Sequence, residues 1–142
     1  MAAALIDETS EFGARVARHL REDVAVWLTT VTPAGAPLPR PVWFMWDGER
    51  SVAMYSRPGA RIRNIDANPR VTLNFAGDGR GGDIVVLSGN AAVDADAPPA
   101  DRASEYPAKY DDHIARIGLP PPAFAARYSV PVRIELTRLD GH

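Results

Sequence analysis

Apolar positions recur along this chain with two periods, and each change of period marks a boundary between elements. From Ser10 to Arg21, Phe12, Val16 and Leu20 stand four apart with Arg15, Arg18 and Arg21 between them. That pattern predicts a helix packed by one side, lying as a lid on a sheet. The period then falls to two. The stretch Val24–Thr32, VAVWLTTVT, is rich in β-branched residues and has no helix breaker, which predicts a first strand closed by the turn Pro33-Ala34-Gly35. Asp47-Gly48 signals a tight hairpin into a strand over SVAMYSR. RVTLNFA sets Val71, Leu73 and Phe75 against Thr72, Asn74 and Ala76, DIVVLSGNAAV continues as strand, and VPVRIELTRL closes the chain with Val130, Val132, Ile134 and Leu136 alternating against polar neighbours.

Two stretches break the regular alternation. In APLPRPVWFMW the prolines stand at 37, 39 and 41. Successive N–H groups of a strand point to opposite sides, so all three missing donors fall on one flank. That flank must be an edge, a bulge, or a place where something other than a strand lies alongside, with Val42, Trp43 and Phe44 next to it. With this segment the count is six strands. The second break is Tyr55–Val71, YSRPGARIRNIDANPRV, where Pro58-Gly59 ends a strand and Pro69 restarts extended chain. Ile62 and Ile65 give the helix between them an inward face, while Arg61 and Asn64 share another. Glycine, free amides of a helix N-terminus and guanidinium groups together form an anion clamp.

Charge sharpens that reading. The 142 residues carry a net charge of −2, but residues 40–82 hold seven arginines against four acids, and the segments on either side are acidic. A local excess of this size suits a small anionic ligand, whereas nucleic-acid binders carry a longer basic stripe. Hydrophobic content of 46% and charged content of 24% are those of a soluble globular chain, expected to form a single domain over 1–142. No apolar run reaches membrane-spanning length, and Asp7, Glu8 and Glu11 stand where a signal peptide would be basic, so a cytoplasmic location is expected. There is no cysteine, which excludes disulfides and thiol chemistry.

Few side chains announce catalysis. His19, His113 and His142 lack partners at metal-ligand spacing, so no metal site is expected. No serine sits in a nucleophile elbow. Gly77-x-Gly79-x-x-Gly82 formally matches a dinucleotide fingerprint, but a strand follows it where that motif needs a helix, so the loop is read as a connection. A chain of this kind either takes its chemistry from an organic cofactor or does not catalyse. Residues 97–127, punctuated by prolines at 98, 99, 107 and 120–122, form a helical insert in which Tyr110, Ile114 and Ile117 share a face.

The order of helix, strand, proline strand ending PVWF, DG hairpin, YSRPGARIRNI, NPRVTLNF and DIVVLSGNAAV resembles the split β-barrel superfamily of pyridoxamine 5′-phosphate oxidase. Within it the pattern is most similar to the F420-dependent oxidoreductases. The resemblance runs the length of the chain and is most specific over residues 24–93. It implies a mainly β fold, a six-stranded antiparallel Greek-key barrel with flanking helices, which dimerises and binds a flavin or deazaflavin between subunits. It further implies that Pro41, Val42 and Trp43 lie against the cofactor ring, and that Ser56, Arg57, Arg61 and Asn64 contact its phosphate. Arg61 occupies a position where lysine is frequent, and arginine can serve the same anion. The implied activity is hydride transfer between reduced F420 and a small conjugated or heteroaromatic substrate, with preference set by the insert. The alternatives are an FMN-binding oxidoreductase of the same fold and a non-catalytic flavin- or F420-binding protein.

Overall fold

The computed structural model describes residues 4–103 and 105–142. Helix α1 (Glu11–Glu22) begins where the Ser10 hydroxyl accepts the Gly13 amide at 2.9 Å, and it buries Val16, Ala17 and Leu20. Seven strands follow: β1 (Ala25–Val31), β2 (Pro37–Trp43), β3 (Met45–Trp46), β4 (Ser51–Ser56), β5 (Arg70–Asn74), β6 (Val85–Val93) and β7 (Val130–Gly141). Helix α2 (Ala60–Ala67) lies between β4 and β5. A 3-10 turn (Ala100–Arg102), α3 (Tyr106–Arg116) and α4 (Pro121–Arg127) form the insert before β7.

Among the described residues every strand pairing is antiparallel, in the order β2-β1-β5-β6-β7-β4-β3. The two end strands, β2 and β3, are joined through the single residue Phe44. The sheet therefore curls until its ends meet, giving the mainly β split barrel that the family resemblance implied. The count is seven strands rather than six because the proline segment is interrupted at Phe44. Its N–H donates to the Tyr110 hydroxyl at 2.8 Å, and its carbonyl accepts from Lys109 Nζ at 3.1 Å, so the insert takes the backbone groups that a continuous strand would give to a ladder.

Pro37, Pro39 and Pro41 stand opposite Val31, Thr29 and Trp27. They occupy alternate positions, so the residues between them, Leu38, Arg40 and Val42, carry the ladder to β1 and the donor-free flank faces away from the sheet. The glycine loop at 77–82 leads into β6, a strand, as its sequence required.

The apolar side chains form two clusters. The barrel core gathers Val16 and Leu20 of α1 with Val26, Leu28, Phe44, Val52, Leu73, Leu87 and Ile134, and α1 packs on it as expected. The insert forms a second cluster of Tyr106, Tyr110, Ile114, Phe124 and Ala125 around Tyr55. Ile117 does not belong to it. It follows the end of α3 and is 51% exposed, because the helical face that holds Tyr110 and Ile114 stops one residue short of it. No helix among the described residues is long and apolar enough to cross a membrane.

Candidate functional site

A cleft of about 380 Å³ opens where the free flank of β2, the end of β4, α2 and the insert converge. Pro41, Val42, Trp43, Tyr55, Arg57 and Arg61 supply one side, and Tyr106, Ile117, Phe124 and Tyr128 the other. One half is cationic and the other aromatic, the composition of a site for a flat ligand carrying an anionic group.

The cationic half is built from the bottom of β4 upward. Ser56 is fully buried, and its hydroxyl donates to the Arg57 carbonyl at 2.8 Å while accepting from Arg61 Nη1 at 3.0 Å. It thereby holds the Arg61 side chain across the Pro58-Gly59 break. Gly59 has φ +148°, a conformation that side-chain-bearing residues rarely adopt, and nothing stands within 4 Å of where a Cβ would project. Helix α2 starts there without any side-chain cap, so its first-turn amides are left to solvent or to a ligand. The ion pairs among the described residues involve neither Arg57 nor Arg61. The Arg61 guanidinium is held below its ordinary pKa, first by burial and then by the positive charge of Arg40. Like charges gathered without a carboxylate favour an anion between them.

Asn64 is placed elsewhere. It is 3% exposed, and its Nδ2 donates to the Thr30 hydroxyl at 3.1 Å, tying α2 to β1 on the barrel side. Arg61 and Asn64 stand three apart, but the crossing of α2 over the sheet turns Asn64 inward. Its part in the site is to anchor the helix that carries Arg61.

The aromatic half belongs largely to the insert. Trp43 stacks on Tyr110 (centroids 4.8 Å apart, planes at 7°) and on Phe124 (5.6 Å, 19°). Its indole is therefore packed against the helices while its edge reaches the cleft. Phe124 stacks in turn on Tyr128 at 4.5 Å. Beneath them the Tyr110 hydroxyl accepts the Phe44 N–H and directs its one proton to the Phe44 or the Val24 carbonyl, each 2.8 Å away. Lys109 Nζ sits 3.8 Å from the Phe44 ring centroid, and burial lowers its pKa to about 8. The insert is thus fastened to the barrel by polar contacts as well as by packing.

The structure brings Pro41, Val42, Trp43, Arg57 and Arg61 together around one cleft, with Ser56 directly behind them. Sequence reasoning did not name Tyr55, Tyr106, Phe124 and Tyr128 as site residues, and they also line the cleft. The aromatics lie up to 73 residues from Tyr55, and only their density in the insert marked them.

The model of the family described as pyridoxamine 5′-phosphate oxidase matches residues 12–136. Among solved structures, an F420 reductase is 26% identical, with 85% of this chain and 92% of that chain covered and a TM-score of 0.62. A conserved hypothetical protein from Mycobacterium tuberculosis is 21% identical over 98% of this chain and 86% of its own, with a TM-score of 0.63. A FAD-binding protein from Mesorhizobium loti is 20% identical over 82% of each chain, with a TM-score of 0.58. The last two share the fold with this chain. No curated protein matches it.

Proposed function

The chain belongs to the pyridoxamine 5′-phosphate oxidase family, and from that premise we propose that it is an F420-dependent oxidoreductase acting on a small conjugated or heteroaromatic substrate. The observation that carries this reading is the pair Arg57 and Arg61, without carboxylate partners, beside an uncapped helix N-terminus at the mouth of an aromatic cleft. The similarity to an F420 reductase supports the choice of deazaflavin.

The residues present fit such a cofactor. Arg57, Arg61 and the first amides of α2 would hold its phosphate, and Ser56 orients Arg61 for that contact. Pro41, Val42 and Trp43 would border its ring system, on the flank of β2 where the prolines have removed the donors that another strand would need. When bound in its reduced form, F420 supplies the hydride. The chain's own part is to bind, to orient, and to keep water from the aromatic half of the cleft through Trp43, Phe124 and Tyr128.

Fluorescence titration with F420 and with FMN at fixed salt tests the site. Arg61→Ala removes a charge-assisted contact of about 1.5–3 kcal/mol, a roughly tenfold or greater loss of affinity. Arg61→Lys should recover much of it, and Arg116→Ala, on the exposed end of α3, should match wild type. Equal affinities in all four proteins would show that α2 carries only solvated arginines. Anaerobic mixing of the reduced complex with conjugated acceptors then separates an enzyme from a carrier, since a carrier leaves the cofactor reduced.

A further inference from the structure

Helix α1 is tied to the barrel by a charged cluster that lies apart from the cleft. His19 is the polar member of the helix's inner face, its ring stacked on Phe75 with centroids 4.9 Å apart and planes at 19°. Both ring nitrogens meet a carboxylate. Nδ1 lies 2.7 Å from Asp23 Oδ2 at the C-terminal end of the helix, and Nε2 lies 3.0 Å from each oxygen of Asp83, in the loop that leads into β6. Arg15, one turn before His19, donates to the same Asp83 carboxylate. Asp83 is the one non-glycine residue with positive φ among the described residues, at +52°, in the left-handed region that aspartate tolerates better than most side chains. Two bases of α1 therefore converge on one carboxylate held in an uncommon backbone geometry.

An ionised carboxylate only accepts, so each ring nitrogen needs its own proton to bond there. A neutral imidazole carries one N–H, which satisfies one carboxylate while a bare lone pair faces the other. We propose that His19 is a proton-operated clasp: protonated, it seats α1 on the barrel by donating to Asp23 and Asp83 at once, and it releases one of them when the ring gives up its second proton. The clasp makes no use of the cleft, so it stands or falls independently of the oxidoreductase reading. The charged groups around it are Asp23 and Arg15 on α1, Asp83 and the Asp78 that its charge repels in the 77–83 loop, and Lys109 of α3, which feels the charge of Asp23. Hydrogen bonds from His19 and then Arg15 hold the Asp83 carboxyl below the usual carboxylate range. That contribution is present above the ordinary carboxylate value and is lost as pH falls through the lowered one. The clasp therefore holds in a pH window, limited below by protonation of Asp83 and above by deprotonation of His19.

One pH series followed by nuclear magnetic resonance reads both halves of the proposal. Proton–nitrogen correlation of the His19 ring, assigned by its loss in His19→Gln or by its through-space contact with Phe75, follows the ring protons. Amide hydrogen exchange over Val16–Leu20, corrected for the pH dependence of the exchange chemistry, follows the seating of α1. In wild type, loss of the second ring proton should coincide with a roughly three- to tenfold fall in α1 protection, the size of one partly exposed charged contact. The amide of Ile134, in β7, should not follow the ring. Asp83→Asn keeps the left-handed turn and offers a donor as well as an acceptor, so a neutral ring can donate to Asp23 and accept from the new amide. Its α1 protection should change by less than about twofold across the same step. A ring that loses its proton with α1 protection unmoved, a ring neutral throughout the pH range of the folded protein, or an undiminished step in Asp83→Asn would each overturn the proposal. So would an equal fall at Ile134, which would assign the change to global unfolding.

Discussion

Removing one oxygen at Tyr110 tests how the insert is joined to the barrel. The hydroxyl is completely buried, accepts the Phe44 N–H at 2.8 Å and gives its proton to a backbone carbonyl at the same distance. In Tyr110→Phe the ring keeps its stacking on Trp43, so packing changes little. The Phe44 N–H is left buried without a partner, at a cost of about 1–3 kcal/mol, and the lost bond to the carbonyl adds roughly 1 kcal/mol. Lys109 still reaches the Phe44 carbonyl, which limits the total. We expect Tyr110→Phe to lose about 2–4 kcal/mol in urea unfolding, or roughly 5–15 °C in melting temperature. Tyr106→Phe, the same deletion at a ring 4.7 Å away, should change stability by less than about 0.5 kcal/mol. If the two variants unfold alike, the hydroxyl of Tyr110 does not hold the interruption at Phe44 and the reasoning for both tyrosines fails.

Asn64→Ala should cost about 1–3 kcal/mol, because the Thr30 hydroxyl, 1% exposed, loses its partner. It should weaken cofactor binding only through displacement of α2, so calorimetric unfolding should register it more strongly than titration does. Lys109 has a folded pKa of about 8 against an ordinary 10.5. Between those values the unfolded chain binds more protons, so stability should rise with pH above about 8, and Lys109→Met should abolish the rise in denaturant unfolding followed from about pH 7.5 to 9.5. Trp27, 41% exposed on β1, and Val93, 39% exposed on β6, leave apolar area on the sheet, and sedimentation should show a homodimer. A monomer that persists at high micromolar concentration and binds cofactor would refute a site shared between subunits.

The strands were readable in the sequence wherever one face is buried. Val71, Leu73, Val132, Ile134 and Leu136 alternate in the chain and are buried in the barrel, because a two-residue period leaves no choice of face once one side meets the core. The Pro58-Gly59 break was equally visible, since backbone geometry is set by the residues that carry it. The grouping of Arg57 and Arg61 at the start of α2 could be read for the same reason, since they lie within a few residues of one another. Three features were decided only in the tertiary structure. The barrel seam at Phe44 exists because Tyr110, 66 residues away, offers its hydroxyl to the Phe44 backbone. Asn64 faces the barrel rather than the cleft because Thr30 of β1 lies beneath it. Tyr106 remains unpartnered while Tyr55 and Tyr110 do not because Pro98, Phe44 and Val24 carry acceptors only toward the latter two. Local spacing fixes which way a side chain leaves its own element, but its partner is set by what the fold brings opposite, and no local period encodes that.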